Sequence, residues 1–114
     1  MGETEDELII VWTSKAELQY LEILLFWMNK TFSRSYSDKI EKEVEKVSNL
    51  LKRSPRIGRC IFDSEIETEE LREVIILHNF SIFYKLIEEH KEIRFIAFWD
   101  NRNDPDKLDL DDDF

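Results

Sequence analysis

Residues 72–99, REVIILHNFSIFYKLIEEHKEIRFIAFW, constrain the fold more than any other part of the chain. Three β-rich runs follow one another, interrupted only at His78-Asn79 and at the charged tip Glu88–Glu92. No helix-length segment separates them, so they are expected to pair as antiparallel neighbours rather than through helical crossovers. Asn79 tolerates positive φ, which predicts a two-residue hairpin turn at His78-Asn79. With only 2 Gly and 2 Pro in 114 residues, sites for other tight turns are few and long regular elements should dominate.

Upstream, Leu8–Trp12 reads as a first strand. Ser14, with Glu17 three residues later, reads as the capping box of a first helix. Leu18, Leu21, Leu24, Leu25, Met28 and Phe32 recur along it at helical spacing. A second helix is expected from Ser35 or Ser37, burying Ile40, Val44, Val47 and Leu51 and stopping before Pro55. Gly58 suits the turn that follows, Cys60–Phe62 a short strand, and DSEIETEE an acidic loop. The expected fold class is α+β: an N-terminal strand and a helical hairpin packed on one face of a twisted antiparallel β-sheet. Residues 1–114 read as a single domain, with an acidic N-terminal segment at 1–7 and an acidic C-terminal tail at 106–114.

Side chains alternate across a strand, so a register assigns each residue to a face. Placing Leu77 opposite Phe80, and Leu86 opposite Ile93, gives a core face of Ile75, Leu77, Phe80, Ile82, Tyr84, Leu86, Ile93, Phe95, Ala97 and Trp99. The other face then carries Arg72, Val74, Ile76, Ser81, Phe83, Lys85, Arg94, Ile96 and Phe98. Its apolar members ask for a partner or a covering segment. Arg72, Lys85 and Arg94 would form a row across three strands, and directly opposed like charges ask for an anion. Glu88, Glu92 or the acidic tail is the bland source of that anion; a partner's carboxylate or a phosphate is the sharper one.

The net charge of −10 sits mostly at the two ends, so a whole-protein field attracting nucleic acid is not expected. The basic spot is KRSPRIGR, with Lys52, Arg53, Arg56 and Arg59 and no acid. Such a run usually ends a helix in solvent, and target contact is its functional alternative. The longest uncharged run, Ile23–Asn29, is too short to cross a membrane. An acidic start without a signal-peptide pattern and a single cysteine, Cys60, lead to an expected cytoplasmic location. No metal or cofactor is implied: Cys60 reads as a small core residue, His78 as a turn residue, and His90 among Glu88, Glu89 and Glu92 as a solvated charge run. The acidic tail reads as disordered, or as a strap folded over the second face onto Arg72, Lys85 and Arg94.

Four stretches in order resemble the RelE/ParE-type toxins of bacterial type II toxin–antitoxin modules. IIVWTSKAELQYLEIL is similar to their first strand and helix, and LLKRSPRIGR to the end of their second helix. LREVIILHNFSIFYKL resembles their central hairpin, and IRFIAFWDNRNDPDKL their last strand with its Arg-containing loop. The resemblance implies a growth-inhibiting toxin held inactive by a cognate antitoxin. It leaves two activities open: RelE-like cleavage of messenger RNA on the ribosome, and ParE-like binding of DNA gyrase. On the nuclease pattern Arg72 stands at the first basic position, but Val74 and Ser81 stand where further basic residues belong. Arg102 matches the arginine after the last strand, and the C-terminal tyrosine has no counterpart. These departures favour a ParE-like binder without catalytic residues, with the interferase and a non-toxic binding module as alternatives. The residues expected to contact target or antitoxin are Arg72, Lys85, Arg94, Arg102, Lys52, Arg53, Arg56, Arg59, Phe83 and Phe98. Tyr20, Ile23 and Trp27 lie on a side of the first helix partly distinct from Leu21, Leu24, Leu25 and Met28. A helix apolar on two sides can offer one of them to an antitoxin.

Overall fold

The computed structural model describes residues 7–62 and 70–111. Strand β1 (Ile9–Trp12) leads into helices α1 (Ser14–Thr31) and α2 (Ser35–Arg53). Strands β2 (Arg59–Phe62), β3 (Glu70–Ile76), β4 (Phe80–Ile87) and β5 (Glu92–Asp100) follow, with short 3-10 turns at Glu88–His90 and Pro105–Lys107. The sheet order is β1-β5-β4-β3-β2. Successive strands from β2 to β5 are antiparallel, as their short connections require, whereas β1 lies parallel to β5. The sheet is therefore mixed: the chain returns beside β1 only after the helical hairpin and the meander, a path long enough for parallel pairing. Most of the acidic loop after β2 lies outside the described residues.

The cap of α1 sits one residue earlier than the sequence suggested. Thr13 is extended, and its hydroxyl accepts the Ala16 N–H at 3.1 Å, so Ser14 is the first helical residue. Of the two apolar sides of α1, the structure buries the aromatic one, with Leu24 beside it. Tyr20, Ile23 and Trp27 pack against the core together with fully buried Ala16, whereas Leu18, Leu21 and Leu25 face outward. Phe32, in a left-handed conformation at the helix end, is 93% exposed. The aromatic side wins because its rings find partners. Tyr20 stacks on Trp12 at 5.0 Å and meets Phe98 at 4.9 Å, and Trp27 meets Tyr36 edge-on at 4.9 Å. Helix α2 buries Ile40, Val44, Val47 and Leu51 as expected, and the Ser37 hydroxyl ties it to α1 by donating to the Leu24 carbonyl at 2.7 Å.

Two register details redistribute the sheet's faces. Positive φ falls on Leu77 and His78, and Ile76 pairs with Phe80 across a three-residue loop, not Leu77 with Phe80. Asn79, the last residue of that loop, accepts the Asn101 N–H on its carbonyl at 2.8 Å. A slip of one residue flips every side chain of β3. Val74 and Ile76 consequently join the helix-side core, and Ile75 is exposed on the outer face. In β5, Tyr84 pairs with Phe95 and Phe83 with Ala97, leaving Ile96 as a bulge. The bulge turns Phe98 into the helix-side core and Ala97 and Trp99 outward. The expected pairs Leu86–Ile93 and Lys85–Arg94 are observed.

Candidate functional site

Three of the arginines, Arg72, Arg94 and Arg102, each pair with an acid two residues earlier. Strand alternation brings residues i and i+2 to one face, so Glu70 can hold Arg72 and Glu92 can hold Arg94. The Arg72 guanidinium donates to Glu70 Oε2 at 2.9 and 2.7 Å, and to the carbonyls of Arg56 and Gly58 at 3.0 and 2.6 Å. Arg94 donates from Nε to Glu92 Oε2 at 2.6 Å. Arg102 grips Asp100 with two nitrogens at 2.9 and 2.8 Å, and lies over the rings of Trp27 and Phe80 at 5.1 and 5.6 Å.

These pairings revise the expected contact set. Arg72 opposes Tyr84, on the helix side, so the row of Arg72, Lys85 and Arg94 does not form. Only Lys85 and Arg94 oppose each other on the outer face. Phe98 is 1% exposed in the core, and Phe83 is buried beneath the C-terminal segment, so neither presents a surface to a partner. In the KRSPRIGR stretch, Arg56 bridges Glu88 at 2.9 Å and Glu70 at 3.5 Å, and Arg59 meets Glu73 at 2.6 Å. Lys52 and Arg53, in the last turn of α2, are drawn into no such bridge among the described residues. Cys60 is exposed, not a core residue.

The acids respond as their partners dictate. Hydrogen bonding from Arg72, against a smaller opposing effect of burial, holds the Glu70 carboxyl below its ordinary range. At Asp100 burial pushes upward, but the Arg102 guanidinium and backbone N–H together outweigh it and the net direction is down. A lowered carboxyl favours the folded state above its unfolded pKa, and that contribution fades as pH falls through the folded value. Both pairs are therefore intact at neutral pH and open only in acid.

Sequence reading missed a polar network on the outer face. Glu73, nearly buried, accepts from Arg59 and from the Ser81 hydroxyl, and Ser81 Oγ accepts the Asn101 side-chain N–H at 2.8 Å. The corrected β3–β4 register makes this possible, since Glu73 then lies on the same face as Ser81. Ser81→Ala removes a buried donor from Glu73 and an acceptor from Asn101, and is expected to cost about 1–2 kcal/mol in a denaturant melt.

The outward side of α1 carries a run of exposed apolar side chains. Leu18, Leu21, Leu25 and Phe26 are 58%, 48%, 54% and 55% exposed. The three leucines recur at i, i+3 and i+7, the seam spacing by which one helix packs on another. Beside Phe26 opens a cleft of about 340 Å³ whose walls include Gln19, Ile23, Trp27, Phe98 and Trp99. Glu22, Asp100 and Asn103 add polar groups to this lining. Among the described residues no helix is long and apolar enough to cross a membrane, so the exposed leucines are not part of such a span.

No protein-family model matches the chain, and no curated protein matches it significantly. Among solved structures, a chain of the toxin–antitoxin complex RelBE2 from Mycobacterium tuberculosis is similar in fold, with a TM-score of 0.52 and 12% sequence identity. The superposition covers 85% of this chain and 93% of that one. Two helices on a five-stranded mixed sheet are the RelE/ParE-type toxin fold, and this chain has it.

Proposed function

We propose that this chain, built on the RelE/ParE-type toxin fold, is the toxin of a bacterial type II toxin–antitoxin module, neutralised by a cognate antitoxin in the cytoplasm. On this reading it inhibits growth by binding a cellular target, DNA gyrase first among them, and not by cutting RNA. The observation that carries the choice is the closure of the two arginines matching the nuclease pattern. Arg72 is spent on Glu70 and two carbonyls, and Arg102 on Asp100 in a two-nitrogen grip. A guanidinium whose donors are taken by a neighbouring carboxylate is poorly placed to hold a phosphate, and the acid adds repulsion. The outward leucines of α1 are the antitoxin's docking face in this account, with Lys52 and Arg53 nearest to target contact among the basic residues.

The messenger-RNA interferase is the second reading, and the Glu73–Ser81–Asn101 network is the observation in its favour. A carboxylate beside a hydroxyl is the raw material of general base chemistry. Ser81 is wholly buried, however, which keeps substrate from it. Purified protein tested against gyrase supercoiling and against messenger RNA on translating ribosomes separates the readings. Loss of supercoiling with intact RNA is expected. Cleaved RNA with normal supercoiling would replace the proposal by the interferase, and neither effect would leave a non-toxic binding module.

A further inference from the structure

The helical layer turns two different stripes away from the sheet. On α1 the stripe is the exposed leucine seam, Leu18, Leu21 and Leu25. On α2 it is cationic. Lys39, Lys42 and Lys46 recur at i, i+3 and i+7, and Arg53 continues the line one heptad further on. All four are exposed, on the side of α2 turned away from its buried residues, and none makes an ion pair or hydrogen bond among the described residues. The acids of α2 leave this stripe in excess. Asp38 and Glu41 are taken by Arg34, at 3.5 and 3.8 Å, while Glu43 and Glu45 stand at its two margins. From Lys39 to Arg53 the line is about 21 Å long at the helical rise of about 1.5 Å per residue. The short connection between the helices and the bond from Ser37 to the Leu24 carbonyl set the two stripes side by side. Between them Tyr20, Glu41, Lys42 and Glu45 line a shallow cleft.

We infer that this surface docks an acidic amphipathic helix of another protein, its apolar flank on α1 and its acidic flank on α2. The inference rests on the reading of the α1 leucines as a docking face, and adds the shape and charge of the occupant. A second copy does not fit. An interface between identical surfaces must complement itself, and here it would set cations against cations or against leucines. A nucleic acid would satisfy the cations but has no apolar stripe for the leucines, and it would approach a chain of net charge −10. An anionic bilayer would meet Glu17 and Glu22, both exposed beside the leucines. A helix lying along the layer repeats at the same rise, so acids spaced i, i+3, i+7 and i+14 face the four cations in register. Exposed ion pairs are weak singly, so the leucines supply the hold while the charges set register and partner choice. An occupant that reaches Arg53 also covers a basic residue offered to the target in the reading above.

The probe is a fluorescent helical peptide about five turns long, with leucines along one flank and glutamates along the next, titrated into the full chain at low ionic strength. A twin peptide with lysines in place of the glutamates is expected to bind about tenfold more weakly. Reversing α2 with Lys39→Glu, Lys42→Glu and Lys46→Glu should invert that preference. The melting temperature should stay within a few degrees, because all three side chains are exposed. Inversion is a result that a merely destabilised chain cannot give. Leu21→Asp with Leu25→Asp should weaken both peptides. The titration needs neither toxicity nor an antitoxin. Binding that requires the leucines but ignores the charge reversal would keep the docking face and overturn the inference. Binding that ignores the leucines, or no binding of the glutamate peptide, would overturn both. Tighter binding of duplex DNA or of phosphatidylserine vesicles than of the glutamate peptide would replace the helix by that partner. A dimer of the free chain that sedimentation shows and Leu21→Asp dissolves would replace it by a second copy.

Discussion

Gly58→Ala is expected to lower stability by about 2–3 kcal/mol, through overpacking and a lost hydrogen bond. Gly58 lies where the chain turns from α2 into β2, directly against Tyr84. A Cβ there would stand 2.5 Å from the Tyr84 hydroxyl oxygen, 2.8 Å from its ring and 2.9 Å from the Glu73 carbonyl. None of the three can retreat. The Tyr84 hydroxyl accepts the Gly58 N–H at 3.0 Å and donates to the Pro55 carbonyl at 2.7 Å, and the ring is fully buried. The same turn supplies two carbonyls to Arg72, so moving it also loosens the Arg72–Glu70 pair. In a thermal melt the drop should be on the order of 10 °C for a chain of this size. Tyr84→Phe alone should cost less, about 1–2 kcal/mol for two hydrogen bonds. Gly58→Ala should then be milder in the Tyr84→Phe background, because the nearest clashing atom is gone. Additive losses would mean that the two residues are not coupled as described.

The second large effect concerns binding. Leu21→Asp combined with Leu25→Asp should weaken antitoxin binding by at least about a hundredfold, since each buried leucine anchor is worth roughly 1.5–3 kcal/mol. The melting temperature should stay within a few degrees, because both side chains already face solvent and leave no cavity. Ile23→Asp is the opposite control. It lies one position from Leu24 on the packed side, and should destabilise the fold directly. Calorimetric titration with the antitoxin, beside thermal melts of each variant, separates the two faces. If Leu21 and Leu25 matter for stability but not for binding, the outward face is misassigned.

How much of this was legible in the chain differs from element to element. Helix α2 was legible because Ile40, Val44, Val47 and Leu51 stand out among charged neighbours, leaving one choice of buried face. Helix α1 was not, because it is apolar on two sides and leucine counts favour the wrong one. Ring stacking of Tyr20 on Trp12 and against Phe98 decides the matter, and those contacts exist only after folding. The meander from β3 to β5 was evident from its uninterrupted β-rich runs. Its faces were not, because the turn places positive φ on Leu77, a γ-branched residue that carries no signal for it, and because nothing marks Ile96 as a bulge. The acid–arginine pairs could have been found. Glu-Leu-Arg at 70–72 and Glu-Ile-Arg at 92–94 are spaced by the strand period, so both members must share a face whichever register holds. Asp-Asn-Arg at 100–102 repeats the spacing at the strand end. Read that way, Arg72, Arg94 and Arg102 are neutralised locally before any partner arrives.

The most direct test of a toxin restrained by an antitoxin is growth of a bacterial culture in which the protein is induced alone, with its co-encoded partner, and as the Leu21→Asp/Leu25→Asp variant with that partner. Arrest by the protein alone, rescue by the partner, and failed rescue of the variant are the expected results. Normal growth with verified soluble protein in the first culture would contradict the account.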